Sequence, residues 1–467
     1  MNIAGIEALG IHIPRWSLDR EALAQNWSAK SAPGARTVAN FDEDSLTMGV
    51  EAALRALGPD PSARDGIDAV LFATTTPVFT EKQHAAVVAA ALRIPADQCV
   101  DLTGSLRSGL DAVRLACGLI RGGTARHVLV IAADRRDLQP GGPHERLSGD
   151  AGAAVVVGTG PSIVSLIGQA TFSDPAAGIW RSPEDRWSRV ADDRFVTTEL
   201  LTPWLAAAAG RACTMAGFGA EDLHAAAFAA PLARVEASVS SRLGLTVPSP
   251  SGGIDRDIGY TGVAHPFLQL ALSLKDRQPG ERVLIAAAGD GATALLGTVS
   301  DHDGLSEGAS QMAAALRRRR ELPVGMYQRM RGQLPVEPVN PSTSEMLLRR
   351  EQSVGLELRG TRCRKCGRGH FPPRRICLEC HTVDLMDTLE LPRNGALFTH
   401  TVEHLFPVPV NELIMGVVDV GDVRVYTQVT DTAPDECGPG RPVDLVLRKL
   451  HDGGHLPHYF WKAKVVS

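Results

Sequence analysis

Four of the eight cysteines in this 467-residue chain fall in one stretch, RCRKCGRGHFPPRRICLEC, where Cys363, Cys366, Cys377 and Cys380 have the spacing C-x2-C-x10-C-x2-C. Each CxxC knuckle turns two thiolates toward one point, and four thiolates close a tetrahedral zinc shell with no position left for water or substrate. The zinc expected here folds a module and takes no part in a reaction; a pair of disulfides is the competing reading of the same spacing. The remaining cysteines, Cys99, Cys117, Cys213 and Cys437, stand singly with no motif around them.

With 44% hydrophobic and 22% charged residues the chain is long enough for two or three globular domains. A formal net charge of -5 makes no case for nucleic acid, and the basic run Arg317 to Arg320 reads as the solvated end of a helix. The first residues lack a charged segment followed by an apolar one, and no stretch reaches the ~18 apolar residues needed to cross a bilayer. The expected setting is cytoplasmic, where thiols stay reduced and zinc knuckles persist.

The elements that must position any chemistry follow from periodicity. Up to about residue 300, apolar runs such as AVLFATTT, HVLVIAAD, GAAVVVG, AAAFAAP and RVLIAAAGDGA alternate with Ala/Leu-rich stretches. That alternation predicts a layered α/β domain. Residues 104–134 and 259–290 share one grammar: a Gly-bearing turn, a helix of ~15 residues, a Gly-containing loop and a buried strand beginning Val-Leu. Two similar halves are expected, residues 1–160 and 161–300. Residues 301–345, with the Pro-rich LPVEPVNPSTSE, suit a linker. A helix capped by Thr343 or Ser344 leads into the zinc module of residues 346–384. Residues 385–467 alternate like the short strands of an OB-type barrel.

The spelling C-G-x-x-x-F-P-P-R-x-x-C-x-x-C, met at Cys366, Gly367, Phe371, Pro372, Pro373, Arg374, Cys377 and Cys380, resembles the zinc-ribbon/OB-fold proteins that accompany thiolase-type enzymes. The first 300 residues resemble the thiolase superfamily, in its hydroxymethylglutaryl-CoA synthase and ketoacyl synthase III branch, at VDLTGSLRSGLDAV, RLSGDAGAAVVVG and DIGYTGVAHPFLQLA. These resemblances imply an α/β chain with a duplicated thiolase-like five-layer fold, followed by a zinc ribbon and a small all-β OB-type barrel. They further imply a thioester substrate on CoA or acyl-carrier protein, a homodimer, and a possible thiolase-family protein partner.

Claisen chemistry in that branch needs a thiolate at a helix start together with His and Asn. Carried over residue by residue, the Cys position reads Leu106, the His position Ala229 and the Asn position Tyr260, so ordinary Cys-His-Asn condensation is not expected. Cys117 lies about 16 Å further along the same helix and reads as a small buried residue. Ser105 is the alternative nucleophile, although it also has the form of a helix N-cap. Tyr260 can donate a proton through its phenol, with His265 or Asp290 as acid/base partner. Glu81 is a weaker carboxylate candidate. Arg107 suits a phosphate or carboxylate, and Gly104 and Gly259 supply open backbone beside substrate. Two functions remain open: a C-C bond-making or -breaking enzyme without a cysteine nucleophile, with Ser-dependent acyl transfer as a variant, or a degenerate acyl-thioester-binding scaffold.

Overall fold

The computed structural model describes residues 4–30, 33–60, 62–95, 97–232, 234–247, 251–334, 344–404, 408–410, 412–453 and 456–466. The chain divides into two compact units. One takes in most residues up to Tyr327; the other takes in Gln328 onward together with the segments Asn40–Glu43 and Ala90–Arg93.

The first unit is built on β1 (Gly5–His12), β2 (Ala69–Thr74), β3 (Gln98–Thr103), β4 (Val128–Asp134), β5 (Ala151–Gly158), β6 (Val164–Ser173), β7 (Ala225–Ala229), β8 (Arg282–Ala288) and β9 (Gly291–Val299). Their order is β7-β8-β9-β6-β1-β5-β4-β2-β3. In the first half β2 and β4 are parallel while β5 runs antiparallel to β4 and β1. In the second, β7 and β8 are parallel while β9 runs antiparallel to β8 and β6. The duplication is thus real in topology; β3 has no counterpart among the described residues. Strands such as β4 are apolar at nearly every position because both faces are covered.

Two helices, α1 (Ser108–Arg121) and α2 (His265–Leu274), precede β4 and β8 in the corresponding places of each half. α1 packs on β2 and β4 and across on β9, while α2 packs on β7 and β8 and across on β1 and β5. The pair forms the middle of the five layers. Gly109 permits this closeness, since a Cβ there would lie 2.5 Å from the Val263 carbonyl oxygen.

The expected linker 301–345 is corrected by the structure. The helix Glu307–Arg317 buries Ala309 and Met312 at helical spacing and packs on β1, so only the later part is left to connect the units. The basic run is not simply solvated: Arg319 pairs with Asp257 at 3.7 Å, and Arg320 enters a short strand beside Trp16–Asp19. Residues 335–343, including the candidate cap Thr343, lie outside the described residues. Ser344 does cap the helix Glu345–Arg350, its side chain accepting from the Leu347 N–H at 3.2 Å.

In the second unit the ribbon strand Arg359–Cys363 lies between Gly369–His370 and Met386–Glu390. The ribbon sheet thus also takes in Met386–Glu390, from the start of the segment expected to be barrel. Five strands then close a barrel in the order first, second, third, fifth, fourth, with a parallel contact between third and fifth at Val429↔Ala463. This is OB topology. The barrel buries Lys462 and Arg448, neutralised at 2.8 Å by Asp42 and Asp431 and at 3.0 Å by Glu43.

Candidate active site and zinc centre

The loop before α2 is fixed first by its backbone. The Thr37 N–H donates to the Ile258 carbonyl, the Tyr260 N–H to Leu147 and the Gly149 N–H to Tyr260, each at 2.9 Å. Gly259 has φ of +90°, and a Cβ there would meet the Ser148 carbonyl carbon at 2.8 Å. Its expected place beside substrate is taken by Ser148; the glycine seats Tyr260.

Tyr260 is 3% exposed, and its hydroxyl has no hydrogen-bond partner among the described residues. Its ring centroid lies 4.8 Å from that of His265 at 44°. Burial above all, with Asp134 and Asp255 adding to it and Arg136 opposing, pushes the phenol well above its ordinary range. His265 Nδ1 faces the Thr261 N–H at 3.3 Å, which makes Nδ1 the acceptor and leaves the proton on Nε2, 3.8 Å from Asp255. Burial holds His265 down to about 3, so it is neutral at physiological pH. Asp255 is pushed up to about 6 by burial and by Glu236, against the pull of Arg20.

Beside these groups Asp134 is fully buried. It accepts from the hydroxyls of Thr74 and Thr75 at 2.9 Å and Thr76 at 3.1 Å, from the N–H groups of Thr75 and Thr76 at 2.7 and 3.1 Å, and from the Val263 N–H at 3.0 Å. One carboxylate thereby ties the end of β2 to the turn before α2. Arg136 donates to the Thr75 hydroxyl at 2.8 Å, and its own N–H is held by Asp150 of the GDAG segment at 2.7 Å. Asp134 and Asp255 were not singled out in the sequence. A lone carboxylate ending an otherwise apolar strand was the available signal for Asp134; nothing local marks Asp255.

The burial of neutral His265 has a consequence for stability. Its folded pKa lies below the unfolded value near 6.5, so the stabilisation is complete above pH 6.5 and falls as pH drops toward about 3. Unfolding free energies from urea titrations between pH 7 and 4 should fall by up to about 1.4 kcal/mol per pH unit from this residue. His265→Gln should flatten that slope; an unchanged slope would refute the assignment.

At the start of α1 the expected roles are redistributed. Ser105 is not the N-cap: α1 begins at Ser108, with Arg107 at the cap position and no side-chain bond there. The Ser105 hydroxyl donates to the Gly289 carbonyl at 2.9 Å, so its proton meets an amide oxygen and no base. Arg107 is buried. Its guanidinium donates to the Thr171 hydroxyl at 2.9 Å, the Phe172 carbonyl at 2.6 Å, the Ser173 hydroxyl at 2.8 Å and the Ala292 carbonyl at 3.3 Å, and pairs with Asp111 at 3.4 Å. These contacts use the donors expected to reach a ligand, and they staple α1 to β6 and β9. Leu106 is 7% exposed, in the same apolar core as Tyr260 and Ala229.

Gly104 makes an exposed left-handed turn with open space where a Cβ would point. Asp290 is exposed in a turn at φ +49°, its carbonyl accepting from the Asp174 N–H at 3.1 Å. Glu81 is exposed. Cys117 is buried, and burial raises its thiol pKa. The expected site residues thus fall into two groups: Ser105, Leu106 and Arg107 against the 289–292 loop, and Tyr260 with His265 beside Asp134 and Asp255. Gly109 on Val263 joins the two helix starts.

In the ribbon, the four cysteine Sγ atoms lie within 4.8 Å of one another. Cys363 and Cys380 are 3.6 Å apart, and Cys366 and Cys377 3.5 Å. A tetrahedral zinc with Zn–S bonds of about 2.3 Å requires separations of about 3.8 Å, so the quartet fits the ion. The Thr382 hydroxyl, 3.2 Å from Cys380 Sγ, and its N–H help pull that thiol down to about 6, favouring thiolate. Buried His370, unmarked in the sequence, places Nε2 3.4 Å from Cys377 Sγ and supports the ligand from behind.

The fold and both centres define a class: a duplicated thiolase-like unit joined to a zinc ribbon and an OB barrel. Residues 356–384 match the family described as ChsH2, rubredoxin-like zinc ribbon domain. Along the front of the chain the similarity is to hydroxymethylglutaryl-CoA synthases. That of Aeropyrum pernix is 26% identical over 345 residues, covering 71% of this chain and 95% of the relative. A solved hydroxymethylglutaryl-CoA synthase complexed with CoA superimposes at a TM-score of 0.65 with 19% identity, covering 73% of this chain and 94% of that one. The 3-oxoacyl-(acyl carrier protein) synthase III of Pseudomonas aeruginosa PAO1 gives 0.57 with 23% identity, over 64% and 99%. The resemblance to the thiolase superfamily and to the zinc-ribbon/OB module holds. No helix among the described residues is long and apolar enough to cross a membrane.

Proposed function

We propose that this chain is an acyl-thioester enzyme of the thiolase type that makes or breaks a C-C bond by acid/base chemistry, without a covalent acyl-enzyme. One observation carries the reading. The position expected to hold a catalytic Asn holds Tyr260, whose hydroxyl is buried and unpartnered and whose ring lies against a neutral His265. An unsatisfied buried hydroxyl costs stability, and such groups persist where a ligand completes them.

In the retro-aldol direction a base removes the β-hydroxyl proton, the Cα-Cβ electron pair moves toward the thioester carbonyl, and an acid returns a proton to the enolate carbon. Tyr260 supplies the proton donor to the oxyanion or enolate, and His265 with Asp255 supplies the exchangeable proton behind it. Ser105-dependent acyl transfer has less support because the hydroxyl meets a carbonyl and no base. Asp290, exposed in its turn, stays a secondary candidate for the acid/base partner. The thioester is carried on CoA or an acyl-carrier protein. In support, the similar solved structures include one complexed with CoA and a curacin-pathway synthase complexed with a donor carrier protein.

The second reading, a non-catalytic thioester-binding scaffold for a thiolase-family partner, is favoured by the buried apolar side chains of Leu106 and Ala229 at the positions of nucleophile and histidine. Incubation with a panel of β-hydroxyacyl-CoA and acyl-CoA thioesters, followed by mass spectrometry of products, separates the two. Binding without consumption of any thioester would sink the enzyme reading. Reduced ribbon thiols fit a cytoplasmic setting. The half-exposed edge strand β3, with Val100 43% exposed, suits pairing with a second copy. Light scattering at twice 49.6 kDa would support the homodimer, and a monomer mass would refute it.

A further inference from the structure

The barrel hairpin formed by Pro442–Gly453 and Leu456–Val465 carries two histidines that neither site uses. His451 and His458 are direct cross-strand partners. Their ring centroids lie 5.1 Å apart at 89°, and both Nδ1 atoms are buried without a hydrogen-bond partner among the described residues. Opposed residues of an antiparallel pair hold their Cβ atoms about 4.5–5.5 Å apart, a span from which two imidazoles can reach one ion at about 2.0–2.1 Å. A buried polar atom left unpaired is unfavourable, and two on neighbouring rings share one explanation if an ion sits between them.

We propose that His451 and His458 form a second metal site, for a divalent transition ion of the zinc and nickel class. Imidazole nitrogen is the donor such ions favour. Burial first of all lowers the basicity of both rings, so each offers a lone pair at neutral pH; the acidic side chains of Asp452 near His451 and Glu351 near His458 act in the opposite sense. Asp452 is already paired with Lys449 at 2.9 Å, which leaves water to complete the shell. The unpartnered Nδ1 of each ring is the atom offered to the ion.

The test uses the tag-free full-length chain with its ribbon zinc in place. Calorimetric titration with nickel chloride should show about one equivalent bound, weakened at least tenfold in His451→Asn and in His458→Asn, while ribbon zinc stays at about one per chain. No nickel uptake by the wild type, or uptake by both variants as tight as that of the wild type, would overturn the site and leave the pair as an edge-to-face aromatic contact. Should the variants fold poorly, the wild type alone decides the question: crystals soaked in nickel should show an anomalous peak between the two rings, and its absence counts against the proposal.

Discussion

Tyr260→Phe is expected to lower kcat by about 10²- to 10⁴-fold, the range for loss of a positioned proton donor, with KM changed only a few-fold. The reason lies in what the hydroxyl does not do. It has no partner among the described residues, so removing it takes away no hydrogen bond to them and relieves a buried unsatisfied group. The thermal midpoint should therefore hold steady or rise while turnover falls. A structural tyrosine would give the opposite pairing, a lower midpoint with activity intact. The phenol is shifted far above neutrality, so it remains protonated throughout the working range and contributes no limb to the pH profile. Asp255, at about 6, is the group whose ionisation falls within it. An acid limb near pH 6 in the wild type should move or vanish in Asp255→Asn and persist in Ser105→Ala. Full activity in Tyr260→Phe would refute the assignment.

What the sequence made legible was local. The cysteine quartet is a spacing rule, and the strand–helix repeat of 104–134 and 259–290 is a pattern within some thirty residues each, so both came through intact. The departures at Leu106, Ala229 and Tyr260 were also readable, because each sits inside a short motif. The misread residues are those whose partners come from far along the chain. Arg107 looked free for a ligand, yet it is used by the Phe172 and Ala292 carbonyls, 65 and 185 residues away. Ser105 looked like a cap because helix starts are uncertain by a residue or two, and here the difference of three positions turns its hydroxyl toward Gly289. Asp134 and Asp255 acquire meaning only when β2, β4 and the turn before α2 converge. Gly259 is the instructive intermediate: the need for a glycine was legible, but its cause, the Ser148 backbone, was not.

Stripping the zinc, by chelation or by Cys377→Ser, should unfold the ribbon and leave the barrel standing. The ribbon has little else to hold it. Its larger apolar side chains point outward, with Ile376 51% exposed, Leu378 62% and Val383 55%, whereas Cys363 and Cys377 are buried around the metal position. Binding of structural zinc is worth about 10–16 kcal/mol in small zinc modules, far beyond what the ribbon's few strand pairs supply. The barrel instead has an apolar core of its own that includes Trp461, Leu397, Val425 and Leu447. Hydrogen exchange after chelation should therefore show protection lost across 359–390, where the Arg359–Cys363 strand holds both its neighbours, and retained across the strands from Asn394 to Val465. His370→Ala should weaken zinc retention without abolishing it, since it supports Cys377 from behind and is not a ligand. A ribbon still protected once metal analysis shows the zinc gone would mean that the fold is held by packing that these exposures do not reveal, and the quartet would then need a different role.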